Sequence, residues 1–340
     1  MISIYEKSFD EWPLIDVRSP GEFLQGHIPG AINLPLFSDE ERAIVGTAYK
    51  KEGKDKAVLL GLEFVGPKMA DIVRQCSKIS SNKKIRVHCW RGGMRSNSVA
   101  WLLRQSGFDV EVIQGGYKAY KQEVREFMAK PFPLLVLGGP TGSGKTKILH
   151  ELKKLGMQVI DLEGLANHKG SSFGALGQKA QPSTEHFENM LAAELLQCHT
   201  KEFIWVEDES RRIGTVVLPE SFWTQIHEAS RVVVKIPMNE RLEHLVNEYG
   251  IYSKEELSAA LTRIEKRLGP QNLKQALELL EDGNLWEVAK VSLEYYDKAY
   301  AYSATKRVGK LIHELDSETS SPKKIAKSLI KFKTVSPDWV

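Results

Sequence analysis

Short apolar runs alternate with longer amphipathic stretches along most of this 340-residue chain. Residues 14–17, 85–87 and 134–137 are apolar runs of strand length. Residues 117–128 and 148–155 instead repeat apolar positions every three or four residues. The first pattern is typical of buried strands and the second of amphipathic helices. Strands that alternate with helices predict parallel sheets, and therefore an α/β fold.

One interruption of this pattern predicts a domain boundary. The segment Pro131-Phe132-Pro133 follows a helical stretch and precedes an apolar strand, and its prolines suit neither element. We therefore predict an N-terminal parallel-sheet domain at residues 1–129 and a second α/β domain at residues 134–340. The pattern from Asn239 to about Val308 is helical, which predicts a helical C-terminal region in the second domain.

Charge is unevenly distributed, although the formal net charge is only +3. Residues 1–130 carry +4, residues 131–300 carry −5 and residues 301–340 carry +4. Basic ends around an acidic middle allow a nucleic-acid partner without requiring one. The lysines near the end predict a basic tail formed by Lys323, Lys324, Lys327, Lys331 and Lys333.

Several protein classes do not fit this composition. No apolar run approaches the roughly 18 residues of a membrane-spanning helix. Residues 1–10 are rich in charge and lack the apolar region of a secretory signal. Cys76, Cys89 and Cys198 are scattered, so they form neither a disulfide framework nor a metal-spaced cluster. The sequence predicts a cytoplasmic protein that does not enter a membrane.

The first candidate for chemistry is Cys89, which lies between an apolar run and a helical pattern. Gly92 and Gly93 let the backbone curl, so that successive N–H groups can point inward at the N-terminus of the helix. Arg91 and Arg95 add positive charge. These features favour the thiolate and can lower a Cys pKa from about 8.5 to roughly 3.5–7.5. We predict a nucleophile in an anion-binding loop; the alternative is a buried structural Cys.

The second candidate is a phosphate-binding loop after the strand at residues 134–137. The segment from Gly139 matches G-x-x-x-x-G-K-[ST], in which backbone N–H groups and a lysine bind phosphate oxygens. Thr146 can hold Mg²⁺ in such a loop. The predicted phosphate-binding residues are Gly139, Thr141, Gly142, Ser143, Gly144, Lys145 and Thr146.

Acidic and basic residues after a third apolar run extend this candidate site. The run at residues 203–206 ends in Glu207-Asp208-Glu209, a position where a carboxylate can orient the shell of a bound metal. We predict Asp208, with Thr146, as a possible Mg²⁺ ligand. Arg211 and Arg212 predict a charge clamp on a phosphate group. The alternative is two surface arginines paired with the preceding acids.

Four further segments leave two interpretations open. His27 suits a catalytic base or a locally hydrogen-bonded loop residue. Residues 168–174, rich in Gly and Ser, suit a ligand clamp or a connector. The lysines of residues 50–56 suit a solvated surface or a basic lid. The tyrosines of residues 295–302 suit a base-stacking surface or the core side of a helix.

Two stretches of the N-terminal half, Asp16 to Pro35 and Cys89 to Arg95, together resemble a rhodanese domain. Rhodaneses carry sulfur as a persulfide on such a cysteine. The usual sulfurtransferase loop has six residues, whereas Cys89 to Arg95 spans seven. This C-x5-R spacing is also that of Cys-based phosphatases and arsenate reductases, and it implies a larger tetrahedral anion.

The whole chain resembles the tRNA 2-selenouridine synthase family. The resemblance is carried by Cys-Trp-Arg-Gly-Gly-Met-Arg-Ser, Gly-Pro-Thr-Gly-Ser-Gly-Lys-Thr and Glu-Ser-Arg-Arg-Ile-Gly. That family replaces the sulfur of 2-thiouridine at the tRNA wobble position by selenium, with selenophosphate as donor. It also transfers a geranyl group from geranyl diphosphate to that sulfur, which makes a better leaving group.

The resemblance implies a role for each loop. Cys89 would act in the selenium step, and Arg91, Arg95 and the loop amides, including those of Gly92 and Gly93, would hold selenophosphate. The P-loop would hold the diphosphate of geranyl diphosphate. The implied partners are tRNA and a selenophosphate-producing enzyme. The alternatives are a P-loop ATPase or kinase coupled to a rhodanese sulfurtransferase, and a regulatory module with a degenerate rhodanese fold.

Overall fold

The computed structural model describes residues 12–199 and 201–335, which form two compact units. The first unit contains the chain up to Met128 together with Glu185–Ala193, and the second contains the rest. Residues 1–10, on which the absence of a signal sequence was argued, lie outside the described part. We predicted one boundary, at residues 129–134, whereas the later segment Glu185–Ala193 also belongs to the first unit.

The first unit is built on a parallel sheet. Its strands are β1 (Leu14–Asp16), β2 (Ile32–Asn33), β3 (Lys84–His88) and β4 (Asp109–Val112), in the order β2-β1-β3-β4. Its helices are α1 (Pro20–Gln25), α2 (Asp39–Lys51), α3 (Lys54–Val65), α4 (Met69–Ile79), α5 (Met94–Gln105) and α6 (Gly116–Met128), with a 3₁₀ turn at Gly66–Lys68. Fully buried side chains such as Ile85 and Val87 of β3 form its core.

The register of this sheet positions the cysteine loop. Asp16, the last residue of β1, pairs with His88, the last residue of β3. Both strands therefore end at the same edge of the sheet, where ligands of α/β proteins commonly bind. The chain then forms a loop from Cys89 and enters α5 at Met94.

The second unit contains a larger parallel sheet. Its strands are β5 (Leu134–Gly138), β6 (Gln158–Ile160), β7 (Ile204–Glu207), β10 (Ser230–Lys235) and β11 (Leu311–Asp316), in the order β11-β10-β5-β7-β6. A short antiparallel pair is formed by β8 (Arg212–Ile213) and β9 (Val216–Val217). The helices from α7 to α10 are α7 (Lys145–Lys154), α8 (Leu162–Ala166), α9 (Thr184–Leu196) and α10 (Glu220–Glu228).

The predicted α/β class, the parallel sheets and the helical region are confirmed. That region contains α11 (Met238–Tyr249), α12 (Lys254–Thr262), α13 (Glu265–Leu268), α14 (Pro270–Glu281) and α15 (Leu285–Thr305), and the last helix is α16 (Pro322–Val335). No helix within residues 12–199 and 201–335 combines the length and the apolar character that crossing a membrane requires.

The segment after residue 309 is not the tail that its lysines predicted. β11 pairs with β10 as an edge strand of the sheet. α16 buries Ile325 and Leu329 in the core, whereas Lys323 and Lys327 are exposed. β11 was not predicted because it mixes polar and apolar residues, as half-exposed edge strands do. Removing this segment would therefore remove part of the sheet and its core.

Candidate functional site

Cys89 is the first residue of the loop between β3 and α5, with only 3% of its surface exposed. Its Sγ atom is 3.3 Å from Ser96 Oγ, on the first turn of α5. The backbone N–H groups of Ser96, Arg91 and Gly93 also donate hydrogen bonds to the sulfur. This is the inward-pointing set of amides that the Gly-rich sequence predicted.

The hydrogen bonds around the sulfur decide the protonation of Cys89. Burial acts to raise the pKa of the thiol, but the Ser96 hydroxyl and the three amides stabilise the thiolate and lower the pKa below its ordinary value. The other two cysteines behave oppositely, since burial raises the pKa of Cys76 to about 12 and also raises the pKa of Cys198. Of the three cysteines, Cys89 is therefore the one whose thiolate is favoured.

Gly92 is required by the shape of the loop. Its φ is +64°, in the left-handed region that side chains disfavour. A Cβ at this position would also lie 3.1 Å from the Gly115 nitrogen and collide with the Ile113 carbonyl. The turn that contains these two residues supports the loop, because Tyr117 N–H donates to the Cys89 carbonyl at 2.9 Å.

A buried polar cluster supports the loop from the end of the sheet. Asp16, Arg18 and His88 are each at most 1% exposed, and Arg18 Nη2 is 2.5 Å from Asp16 Oδ2. Arg18 also stacks on the Tyr117 ring, 3.9 Å from its centroid. Burial lowers the pKa of His88 to about 4, so the ring is neutral at physiological pH. Asp16 and Arg18 are fixed by mutual pairing, and His88 Nδ1 lies 3.4 Å from the Cys89 carbonyl at the start of the loop.

The two arginines predicted to bind an anion have different environments. Arg95 donates to Glu22 at 2.6 Å, and Arg42 lies 3.6 Å from the same carboxylate. Arg91 is exposed on the loop. The side chains of Arg95, Arg42 and Glu22 together therefore carry a net charge of +1. Arg91 adds a second positive charge beside the loop amides. Glu22 was not predicted, because only the fold brings it to Arg95.

Ser96→Ala is expected to raise the pKa of Cys89, because the hydroxyl that stabilises the thiolate is removed. The rate of Cys89 alkylation by iodoacetamide should then reach its half-maximal value at a higher pH than in the unmodified protein. Ser98→Ala is the matched control, because Ser98 is an exposed residue of the same helix. An unchanged midpoint in Ser96→Ala would mean that the amides alone set the pKa.

The P-loop of the second unit is closed by its own side chains. It follows β5 and runs into α7, with Gly144 in the left-handed region at φ +72°. Lys145 Nζ donates to the Gly139 carbonyl at 2.9 Å, and Thr146 Oγ1 donates to Glu163 at 2.6 Å. Both side chains belong to the predicted P-loop segment and line a pocket of the second unit.

A pair of carboxyl groups lies beside Thr146. Burial raises the pKa of both Glu163 and Glu209, and the two side chains are hydrogen-bonded to each other. A Cβ on Gly170 would lie 2.7 Å from an oxygen of each, so the loop backbone packs against the pair. Because the ionised forms are disfavoured, the pair retains a proton above the ordinary carboxyl pKa and repels a phosphate group less than two full charges would.

The predicted Mg²⁺ ligands are not arranged as a pair. The Asp208 carboxylate forms a buried ion pair with Arg307, and Thr146 is occupied by Glu163. Within residues 12–199 and 201–335, no group of three or more His, Cys, Asp or Glu residues is placed to hold a metal ion. Because the Asp208 and Thr146 side chains are already paired within the protein, they do not fit the predicted Mg²⁺ site.

Arg211 and Arg212 do not line the P-loop pocket. Both are exposed at the β8–β9 pair, and Arg211 is 2.5 Å from Glu220. The predicted charge clamp is thus not formed by this arrangement. The alternative of two surface arginines fits better, and Arg211 is paired with an acid, although that acid is Glu220 instead of a residue of Glu207–Glu209.

The P-loop opens into a pocket of about 580 Å³, formed entirely by the second unit. Its polar end contains the P-loop and the two carboxyl groups. The rest of its wall is mostly apolar and comes mainly from α11, α12 and α15, with Phe173 from the 168–174 loop. The apolar wall includes Phe173, Leu245, Val246, Tyr249, Leu257, Leu285, Val288, Ala289, Leu293 and Tyr296. Helical periodicity predicted these helices, but no local motif predicted that they face the P-loop.

The structure shows the environments of His27 and of the three segments for which the sequence left two interpretations open. His27 Nδ1 is 3.0 Å from the Phe23 carbonyl and its ring stacks on Phe23 and His186, as a local loop residue would. Part of the 168–174 loop lines the P-loop pocket. The lysines of residues 50–56 are exposed. The tyrosines divide, since Tyr296 and Tyr300 line the pocket while Tyr302 is 64% exposed.

Comparison with known proteins agrees with both halves of this description. The model of the rhodanese-like domain matches residues 3–123, and the model of the tRNA 2-selenouridine synthase AAA domain matches residues 132–324. The crystal structure of the N-terminal domain of a putative ATP/GTP binding protein from Clostridium difficile 630 is 41% identical, with a TM-score of 0.34, and the match covers 36% of this chain and 98% of that chain.

Two curated relatives extend over nearly the whole chain, and both are named tRNA 2-selenouridine synthase. The protein from Sulfurovum sp. (strain NBC37-1) is 37% identical over 88% of this chain and 91% of its own length. The protein from Salmonella schwarzengrund (strain CVM19633) is 38% identical over 88% of this chain and 92% of its own length. This chain therefore belongs to the tRNA 2-selenouridine synthase family of tRNA-modifying transferases.

Proposed function

We propose that this chain replaces the sulfur of wobble 2-thiouridine in tRNA by selenium, in two steps that use two different loops. In the first step the thiouridine sulfur attacks C1 of geranyl diphosphate. A carbon–sulfur bond forms, the carbon–oxygen bond breaks, and diphosphate leaves while the nucleobase loses its N3 proton. In the second step the selenium of selenophosphate forms a bond to C2 of the nucleobase while the C2–S bond breaks and geranylthiol leaves. Water then cleaves the phosphorus–selenium bond and releases phosphate.

One observation carries the assignment of the first step to the P-loop. The phosphate end of the pocket continues into an apolar groove between α11 and α15. A diphosphate with a hydrocarbon tail matches both ends, since the P-loop amides and Lys145 would bind the diphosphate and the groove would bury the tail. The ribose and base of a nucleotide would instead require polar partners along the groove.

The Cys89 loop is suited to the selenium step. Amides of Arg91 and Gly93 that point to the sulfur would bind oxygens of a tetrahedral anion, as amide nests do. The lowered pKa favours the thiolate, which is the nucleophilic form of cysteine. Selenophosphate as the anion, and an enzyme that produces it as a partner, remain predictions from the family resemblance.

The test of this proposal uses purified protein and tRNA that contains 2-thiouridine. With geranyl diphosphate alone the product should be S-geranyl-2-thiouridine, and further addition of selenophosphate should give 2-selenouridine. Both products can be identified by mass spectrometry of the nucleosides, and neither should require ATP. The absence of both products, together with steady ATP hydrolysis without RNA, would favour a P-loop ATPase or kinase instead.

The exposed lysines of α16 are our first candidate for a tRNA-binding surface. The triple variant Lys323→Ala, Lys324→Ala, Lys327→Ala should bind tRNA more weakly, because binding of lysines to phosphate groups releases counterions. The dependence of affinity on salt should become shallower, by about one unit of log–log slope for each lysine that binds a phosphate group in the unmodified protein. Substitution is preferable to truncation after Gly309, since truncation would remove β11 and α16 from the fold.

A second triple variant provides the comparison for this prediction. Lys50→Ala, Lys54→Ala, Lys56→Ala removes the same charge from the exposed lysines of the first unit. If this variant binds tRNA more weakly and with a shallower salt dependence while the α16 variant is unchanged in both respects, the tRNA surface lies on the first unit.

A further inference from the structure

The apolar groove of the P-loop pocket has a direction that the contacts of α11 and α15 define. At one end Arg241 of α11 donates to the Thr141 carbonyl of the P-loop at 2.8 Å and to Asp297 of α15 at 3.0 Å. At the other end a Cβ on Gly250, just after α11, would lie 3.1 Å from Leu285 at the start of α15. The two helices are therefore antiparallel, and the groove leads from the P-loop towards Leu285.

One face of α15 forms a wall along this groove. Its pocket-lining residues follow helical spacing, in the order Ser303, Tyr300, Ala299, Tyr296, Leu293, Ser292, Ala289, Val288 and Leu285 from the phosphate end. Tyr300 belongs to the phosphate end, because a Cβ on Gly138 would lie 3.1 Å from its hydroxyl. Farther along this face, the hydroxyl of Ser292 donates to the Val288 carbonyl at 2.9 Å. The wall from Leu293 to Leu285 is therefore apolar apart from a hydroxyl that is already paired.

Because the rise per residue of a helix is constant, residue numbers on α15 give distances along the groove. At about 1.5 Å per residue, Leu293 lies roughly 10 Å and Ala289 roughly 16 Å from Tyr300 along the axis. An extended chain advances roughly 3.6 Å for every three single bonds, so the main chain of a geranyl group spans about 8 Å and that of a farnesyl group about 13 Å. Measured from Tyr300, a geranyl tail would end near Leu293, and a third isoprene unit would extend past Leu293 towards Ala289.

We propose that α15 sets the length of the prenyl diphosphate that this pocket accepts, with Ala289 as the residue that leaves room for a third isoprene unit. This inference rests on the proposed function, because it assumes that the P-loop binds a prenyl diphosphate. Leu293 is fully buried and bounds the space that two isoprene units fill. Ala289 is half-buried and has the smallest side chain that a non-glycine residue can present to the groove.

The variant Ala289→Phe tests this assignment, because a phenyl ring would fill the space for the third unit. The protein is supplied with 2-thiouridine tRNA and, separately, with geranyl or farnesyl diphosphate, and the S-prenyl nucleosides are quantified. The unmodified protein should use both compounds. In Ala289→Phe the kcat/KM for farnesyl diphosphate should fall about tenfold or more, a change typical of reduced space in an apolar pocket, while that for geranyl diphosphate changes less than about threefold.

Ala301→Phe is the matched control, since Ala301 is an exposed residue of α15 outside the pocket wall. It should leave the ratio of the two substrates unchanged, and thermal unfolding of both variants reports on their stability. Equal loss of both substrates in a folded Ala289→Phe protein, an unchanged ratio, or no use of farnesyl diphosphate by the unmodified protein would each overturn the proposal. If the unmodified protein also fails to use geranyl diphosphate, the proposed function itself is wrong.

Discussion

Lys145→Ala is expected to stop the formation of S-geranyl-2-thiouridine, and with it nearly all selenated product. The Nζ atom of Lys145, which now donates to the Gly139 carbonyl, would stabilise the charge that develops on the departing diphosphate. Electrostatic stabilisation of this kind is worth on the order of 10²–10³-fold in rate. The measurement is the amount of each modified nucleoside in tRNA incubated with geranyl diphosphate and selenophosphate.

Lys154→Ala serves as the control, because Lys154 lies on the same helix and pairs with Glu151 at the surface. It should geranylate tRNA at the rate of the unmodified protein. A Lys145→Ala protein that still geranylates within a few-fold of that rate would show that the P-loop does not bind the prenyl diphosphate.

Cys89→Ala is expected to produce the opposite pattern, with S-geranyl-2-thiouridine accumulating and 2-selenouridine absent. The substitution removes the thiolate but leaves the P-loop of the second unit unchanged. Cys89→Ser should give the same result with little effect on folding, because the amide groups of the loop remain and an oxygen nucleophile lacks the charge of a thiolate at neutral pH. Nucleoside analysis of the same tRNA provides the measurement.

Cys198→Ala, which changes a half-buried cysteine far along the chain, should leave both products unaffected. Wild-type amounts of 2-selenouridine from Cys89→Ser would exclude Cys89 from the selenium step. If Cys89→Ala blocks geranylation as completely as Lys145→Ala does, the division of labour between the two loops is wrong.

The features that could be predicted from the sequence are those encoded over short distances. The P-loop is a contiguous motif between a strand and a helix, so its glycines, Lys145 and Thr146 were identified directly. The same holds for Cys89, whose amides come from residues within seven positions. The α/β class followed from the alternation of two periodicities, which depends only on neighbouring residues.

The features that could not be predicted depend on contacts between distant segments. Glu22 meets Arg95, Glu163 meets Thr146, and Arg307 occupies the Asp208 carboxylate that had been assigned to Mg²⁺. A carboxylate that follows a strand has the same local sequence pattern whether it faces a ligand or pairs with an arginine roughly 100 residues farther along the chain. Pairing of this kind is decided by tertiary structure, as is the apolar groove that α11 and α15 enclose.

The return of Glu185–Ala193 to the first unit has a consequence for protein synthesis. Domains generally fold as they leave the ribosome, but this unit lacks one of its helices until Ala193 has emerged. At about 5–20 residues per second, the chain from residue 129 to residue 193 takes roughly 3–13 s to make. During that interval Tyr117 and the His27 carbonyl lack Asn189, to which both are hydrogen-bonded in the folded protein. The contacts of Asn189 with the Cys89 domain can therefore form only after the ribosome has translated the P-loop and strands β5 and β6.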